Sequence, residues 1–337
     1  MQFTSAVPVR SFGIESDQSI PGFSGDEFGQ YERLIPTVKP HKFDRKVFTL
    51  FRAWWLLGEN EPMYISGPTG CGKTTFAEQF AARVRVPLFD LVAREEMQRQ
   101  DLVGSYVFQE SGGMKFVYGP AALCWKSGGI LLVNEKTAAS PGFWVANKDI
   151  LAGRPIFIEQ TGEVIERSRN ARLVVTDNLR GLIGDDTGSY QGRNRQDVSV
   201  MDEFWKIRMD YMPATEEVEL LKEGLPEFGD DAAVSDQIKT QLARTLRQFA
   251  ENVRDAYLGN CADGSALEAT MSTRTLLRFR DLLIALRGGE RQGFNPILDA
   301  LDVALTNMVS DASRLAIHRL AEMVFGSGSA FGAAHKP

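Results

Sequence analysis

The chain contains 337 residues, 43% of them hydrophobic, and has a formal net charge of −6 at pH 7. This length suits one large α/β domain together with a smaller one, since domains usually hold roughly 100 to 200 residues. The acidic balance and the lack of any lysine- or arginine-rich block argue against a protein that wraps nucleic acid.

Membrane and secretion signals are also missing from the sequence. No apolar run reaches the roughly 18 residues of a membrane span, and the N-terminus lacks the pattern of a signal peptide. We therefore expect a cytoplasmic protein without a membrane partner. The cysteines Cys71, Cys124 and Cys261 are too few and too scattered for a disulfide framework or a zinc site.

The chain begins with residues 1–42, which predict an extended N-terminal arm. Prolines and glycines are spread through this stretch, a composition that favours little regular structure. Aromatic residues then recur at helical spacing, so residues 44–57 predict a core helix, and Gly58 ends it.

A complete phosphate-binding motif follows a short apolar run and opens a helical pattern. In this motif the glycines let backbone N–H groups close around phosphates, Lys73 reaches the β- and γ-phosphates, and Thr74 ligates Mg²⁺. We therefore expect ATP and Mg²⁺ as cofactors; a tight turn without a ligand is the alternative. The predicted nucleotide-binding residues are Gly67, Pro68, Thr69, Gly70, Cys71, Gly72, Lys73, Thr74 and Thr75.

Downstream, residues 130–133 form an apolar run that leads into Asn134 and Glu135. Such a buried strand usually ends in Asp-Glu, where the aspartate holds the Mg²⁺ shell and the glutamate polarises the attacking water. We predict Glu135 as a catalytic residue, with a solvated strand end as the alternative. Asn134 is the second predicted metal ligand after Thr74; since it lacks a charge, we expect weakened Mg²⁺ binding, slow turnover, and a faster Asn134→Asp variant.

Two β-hairpins are predicted around this strand, at residues 105–118 and 155–166. Helices are predicted from Pro120 and over residues 140–151. The next strand, residues 172–176, presents Asn178 at its end, where an amide can orient the lytic water; we predict Asn178 as a catalytic residue. A last strand is expected at residues 207–212.

Residues 213–325 show a purely helical pattern and predict a lid after the α/β core of residues 43–212. Arg274 lies at the start of one lid helix, from where an arginine can reach the phosphates, so we predict it as a catalytic residue; a solvated arginine is the alternative. The tail of residues 326–337 is expected to be disordered.

In order, these motifs resemble the AAA+ ATPases of the MoxR branch over nearly the whole chain, with a P-loop NTPase parallel sheet, hairpin inserts and a helical lid. More narrowly, the chain is similar to the ATPase subunit of aerobic cobaltochelatase (CobS type). The resemblance implies a hexameric ring with ATP between subunits. It also implies that ATP hydrolysis drives remodelling of, or metal insertion in, a partner with a von Willebrand A domain. The similar strings are residues 12–17, 101–104, 184–190, 201–202 and 272–274.

Two positions depart from the family pattern. Asn134 replaces an aspartate, and Glu203 stands where an arginine would act across the subunit interface, a group that can contribute several powers of ten to phosphoryl transfer. Arg193 or Arg195 could substitute for it. A nucleotide-binding scaffold with weak or no hydrolysis is therefore the alternative function, and a DNA translocase or helicase loader is a third class.

Overall fold

A computed structural model describes residues 3–110, 112–178, 197–257, 267–286 and 295–326. The chain divides into two compact units: one combines Met1–Pro68 with Gly72–Asp210, and the other combines Thr69–Cys71 with Tyr211–Pro337. Several predictions fall outside the described residues: those for Arg193, Arg195 and Cys261, the string 184–190, and the tail after Gly326.

The first 42 residues carry more regular structure than the extended arm we predicted. Strand β1 (Ser5–Pro8) pairs antiparallel with β2 (Ser19–Gly22), and the side chains of Phe12 and Phe23 are buried. Prolines are tolerated here because an isolated pair of strands consists of edges. The arm therefore belongs to the α/β unit, and the expectation of little regular structure is corrected.

The remaining elements of the α/β unit follow one another in the order expected for alternating strands and helices. They are α1 (Arg45–Leu57), β3 (Met63–Ser66), α2 (Lys73–Val84), β4 (Leu88–Val92), α3 (Arg99–Val103), β5 (Gly104–Phe108), β6 (Met114–Tyr118), α4 (Pro120–Ser127), β7 (Gly129–Asn134), α5 (Pro141–Ala146), α6 (Lys148–Leu151), β8 (Ile156–Ile158), β9 (Glu163–Ile165), β10 (Ala171–Asp177), α7 (Val198–Met201) and β11 (Trp205–Arg208).

Five of these strands form a parallel sheet in the order β11-β3-β10-β7-β4. Strands β3, β7 and β10 are buried along their whole length, as expected for a sheet that is covered on both faces. All five carboxyl ends lie at one edge, which is where ligands bind in folds of this kind. The predicted α/β class is confirmed.

Both predicted hairpins are confirmed, since β5 pairs with β6 and β8 pairs with β9, each antiparallel. Two other predictions need correction. The last strand is β11, which ends at Arg208 because its partner β3 has only four residues. The single helix predicted over 140–151 is two short helices, which are separated at Asn147.

Aromatic side chains fix the helix that begins at the predicted phosphate loop. Phe51 of α1 contacts Phe76 and Phe80 of α2 with ring centroids 5.1 and 4.7 Å apart, and all three are fully buried. Asp44 caps α1 by accepting a hydrogen bond from the Val47 N–H. This packing holds α2 against α1.

The second unit is helical and has its own core. Phe249, Phe279 and Phe325 meet in this core, together with leucines from four helices. No helix in the described part of the chain is both long and apolar enough to span a membrane. The described helices of the second unit are α8 (Ala214–Glu223), α9 (Ala232–Tyr257), α10 (Thr273–Leu286), α11 (Pro296–Ala304) and α12 (Asp311–Phe325).

Candidate active site

The predicted phosphate loop connects β3 to α2 at the carboxyl edge of the sheet. Gly70 and Gly72 have φ of +74° and +98°, a conformation that favours glycine. Gly72 immediately precedes α2, and the first N–H groups of a helix have no partner within it. The loop therefore has the backbone form that binds phosphate oxygens.

Lys73 is buried and lies at the centre of a hydrogen-bond network. Its ammonium group donates to the carbonyl oxygens of Gly67 and Pro68, at 2.8 and 2.9 Å, and to Asn178 Oδ1 at 2.9 Å. An ammonium group has three N–H donors, and each of these three oxygens can accept from one of them. A phosphate that bound Lys73 would compete with the loop carbonyls and with Asn178.

Asn178 also reaches Glu135, so it links Lys73, a predicted nucleotide-binding residue, to Glu135, a predicted catalytic residue. Its Nδ2 donates to both carboxylate oxygens of Glu135, at 3.1 and 2.9 Å. Glu135 itself has φ +60° and ψ +45°, a left-handed conformation that costs a non-glycine residue about 1–3 kcal/mol. Such strain persists only where the surroundings hold it.

Asp177, which we did not predict as a site residue, provides part of that support. Its buried carboxylate accepts from the Thr137 N–H at 2.5 Å, the Thr137 hydroxyl at 2.8 Å and the Asn178 N–H at 2.7 Å. These bonds tie the end of β10 to the turn that carries Glu135. The available signal was a carboxylate directly before Asn178 at a strand end.

Lys136 is a second group that sequence reasoning missed. Its side chain is fully buried, and its ammonium group lies 4.8 Å from the centre of the Trp144 ring and 5.5 Å from that of Phe204. Burial lowers the pKa of Lys136 to about 7, although Asp177 acts in the opposite direction. Burial, and then Asp177, also raises the pKa of Tyr64.

The predicted metal ligands Thr74 and Asn134 lie together. Both the Thr74 hydroxyl and the Thr176 hydroxyl donate to Asn134 Oδ1 at 2.7 Å. On the other side of the amide, Asn134 Nδ2 donates to Asp90 Oδ1, also at 2.7 Å. Asp90 was not predicted; burial raises the pKa of its carboxyl, while its hydrogen bonds to Leu91 and Asn134 act to lower it.

These oxygen atoms suit Mg²⁺. The ion usually takes one or two protein oxygens and completes its octahedron with phosphates and waters, so a dedicated cluster of acids is not needed. The described residues contain no group of three His, Cys, Asp or Glu placed to hold a metal. Because Thr74 directs its proton to Asn134, the lone pairs of its hydroxyl oxygen remain for the ion.

The second unit includes the tip of the phosphate loop and the predicted residue Arg274. Within this unit the Tyr211 hydroxyl donates to the Thr69 carbonyl at 3.1 Å. A side chain at position 70 would collide with Ser272, because a Cβ there would lie 2.4 Å from Ser272 Cβ. Arg274 is exposed at the start of α10. In the first unit, Glu203 pairs with Lys148 at 3.4 Å.

Comparisons with known proteins identify the family. Residues 62–195 match the family model "AAA domain (dynein-related subfamily)". The denitrification regulatory protein NirQ of Stutzerimonas stutzeri is 30% identical over 205 residues, covering 60% of this chain and 69% of that protein. The chain belongs to the MoxR branch of the AAA+ ATPases.

Other relatives extend the similarity beyond the P-loop domain of this MoxR-type ATPase. The aerobic cobaltochelatase subunit CobS of a Sinorhizobium species is 26% identical over 332 residues, which covers 96% of this chain and 91% of that protein. The gas vesicle ATPase GvpN of Haloferax mediterranei is 27% identical over 268 residues, 73% of either chain. The resemblance to this branch that the motifs predicted is confirmed.

Proposed function

We propose that this AAA+ protein binds ATP with Mg²⁺ and hydrolyses it at the carboxyl edge of the sheet. The observation that carries the proposal is the single network of Lys73, Asn178 and Glu135, in which a cation, an amide and a carboxylate meet beside the phosphate loop. In this proposal residues 67–75 bind the phosphates, residues 43–212 are the nucleotide-binding core, and residues 213–325 form a lid.

Each side chain has a defined task in the proposed reaction. Glu135 accepts the proton of the attacking water, and Asn178 holds both the Glu135 carboxylate and the water in place. Thr74 and Asn134 would hold Mg²⁺, which would supply positive charge to neutralise the β- and γ-phosphates. Arg274 stabilises charge on the phosphates from the lid.

The proposal extends to assembly. We propose a hexameric ring with ATP between subunits, which couples hydrolysis to the remodelling of a partner that contains a von Willebrand A domain. The similarity to a cobaltochelatase subunit over 96% of the chain supports metal insertion as one such task. We expect light scattering to show a rise in mass when ATP and Mg²⁺ are added. A protein that stays monomeric both with and without ATP and Mg²⁺ would contradict the proposed ring.

A nucleotide-binding scaffold with little hydrolysis is the second candidate, and two positions favour it. Asn134 brings no charge to the metal site, and Glu203, at the position of the expected trans-acting arginine, pairs with Lys148 of its own chain. Arg193 and Arg195 remain the candidates to act in its place.

The first experiment tests nucleotide binding with Lys73→Ala. Because the variant loses the charge that meets the β- and γ-phosphates, we expect affinity for labelled ATP to fall below detection while the parent binds. Lys126→Ala is the matched control, since Lys126 is a partly exposed lysine on α4 that pairs with Glu163. Equal ATP affinity in Lys73→Ala and the parent would refute the site.

A further inference from the structure

The metal site of this chain has an amide where a carboxylate is usual, but a carboxylate lies beside it. Strands β4 and β7 are parallel neighbours in which Val92 pairs with Asn134. Alternate residues of a strand share a face, so Asp90 lies on the same face as Val92 and next to Asn134. Its Oδ1 accepts from Asn134 Nδ2 at 2.7 Å.

We propose that Asp90 is a positioning residue of the Mg²⁺ site, and that Asp90 and Asn134 together replace the usual aspartate. The proposal rests on the proposed ATPase function. It assigns Asp90 two tasks: it fixes which end of the Asn134 amide faces Thr74, and it places a negative charge one hydrogen bond from that amide.

The first task follows from the direction of the hydrogen bonds. The hydroxyls of Thr74 and Thr176 can donate or accept, so by themselves they would satisfy either orientation of the amide. A carboxylate only accepts, and it therefore takes the Nδ2 end. With Asp90 in place, Asn134 Oδ1 is turned to Thr74, and both hydroxyls donate to it.

The second task is electrostatic. Thr74 and Asn134 contribute neutral oxygens, and a bound Mg²⁺ would gain less from them than from a carboxylate. A carboxylate that accepts from the amide N–H polarises the amide, so that its oxygen attracts the Thr74 proton more strongly and leaves more negative charge on the Thr74 oxygen that would face Mg²⁺. Groups that hydrogen-bond to metal ligands commonly contribute about 10–100-fold to metal affinity.

This arrangement changes the expectation for Asn134→Asp, which the sequence alone predicts to be faster. An aspartate at this position would face Asp90 across a hydrogen-bonding distance, and two carboxylates so close repel each other. We therefore expect no gain from Asn134→Asp alone. The exchange of both residues, Asp90→Asn with Asn134→Asp, keeps one carboxylate and one amide and should retain the site.

The test measures how much Mg²⁺ strengthens binding of a non-hydrolysable ATP analogue, as the ratio of Kd in EDTA to Kd in excess Mg²⁺. For Asp90→Asn we expect this ratio to fall about tenfold or more, with the Kd in EDTA unchanged. For the double exchange we expect the ratio to return to the parental value. Glu96→Gln, which removes a negative charge from an exposed position nearby in sequence, is the control and should keep the parental ratio.

The outcomes separate this inference from the function it rests on. A parent that binds no analogue would overturn both. A parent that binds, together with an unchanged ratio in Asp90→Asn, would overturn the role of Asp90 alone. A double exchange no better than Asp90→Asn, or a loss of binding by Asp90→Asn in EDTA, would assign Asp90 to folding and also overturn it.

Discussion

Glu135 has a left-handed backbone, and Asp177 at the end of the neighbouring strand β10 supports the turn that carries it. The apolar run before it indicated a strand end, but the left-handed backbone at Glu135 and the bonds from Asp177 that support it depend on β10, which lies about forty residues further along the chain. Asp90 was missed for a related reason. It lies inside β4, where a single acid is typical of a solvated face, and only the pairing of β4 with β7 brings it to Asn134.

Lys136 leads to a prediction about pH. In the unfolded chain its pKa is near the ordinary value of 10.5, and in the folded protein it is about 7. Between these values the unfolded state binds more protons than the folded state, so the free energy of unfolding rises with pH, by up to about 1.4 kcal/mol per pH unit.

We expect this rise to be smaller in Lys136→Met, which fills a similar volume without an ionisable group. Urea unfolding of the parent and the variant at pH 7, 8 and 9 measures the difference. The comparison between the two proteins removes the contribution of other titrating groups. If the free energy of unfolding rose equally with pH in the parent and the variant, the lowered pKa of Lys136 would be contradicted.

Among the elements, the sheet edge was predictable because an apolar run that ends in a polar residue indicates each strand and its carboxyl end. The carboxyl ends of β3, β7 and β10 had to meet once the strands were parallel. Element ends were less predictable. The break between α5 and α6 at Asn147 has no proline or glycine to signal it, and Asn147 Nδ2 instead donates to the Phe143 carbonyl.

The helical unit contains a buried ion pair that its sequence pattern does not reveal. Glu217 on α8 has no exposed surface and accepts from both terminal nitrogens of Arg254 at 2.8 Å. It also accepts from the Thr273 hydroxyl at 2.7 Å, while Arg254 Nε donates to the Met271 carbonyl. The pair therefore fixes the segment that leads into Arg274.

Removing the charge of Glu217 should destabilise this unit strongly. In Glu217→Gln the guanidinium of Arg254 stays buried without its counter-ion, and we expect a loss of about 3 kcal/mol. Glu219→Gln is the matched control on the same helix; Glu219 is exposed and should contribute less than about 1 kcal/mol. Thermal unfolding of both variants provides the measurement. Similar melting temperatures for the two would contradict a buried ion pair.

At the scale of the whole molecule, the order of the motifs along the chain was the strongest signal. The motifs occur in the same order as in the MoxR branch, to which the chain belongs. The phosphate loop comes first, followed by the strand end with Glu135, the strand end with Asn178 and the helical region. The task of the proposed assembly was not predictable in the same way. The relatives carry names as different as denitrification regulatory protein and gas vesicle ATPase, so their names do not point to one shared task.

We propose that the network of Lys73, Asn178 and Glu135 hydrolyses ATP, and the variant Glu135→Gln separates hydrolysis from binding. Glutamine keeps a carbonyl oxygen for Asn178 but cannot accept the proton of water, so phosphate release should fall by about a hundredfold or more. Affinity for ATP should match that of the parent. Glu159→Gln, at an exposed position after β8, is the control.

The deciding measurement is steady-state phosphate release at saturating ATP and Mg²⁺ for the parent, Glu135→Gln and Glu159→Gln. We expect release by the parent and by Glu159→Gln, and almost none by Glu135→Gln. Equal release by Glu135→Gln and the parent, or no release by a parent that binds ATP, would contradict it.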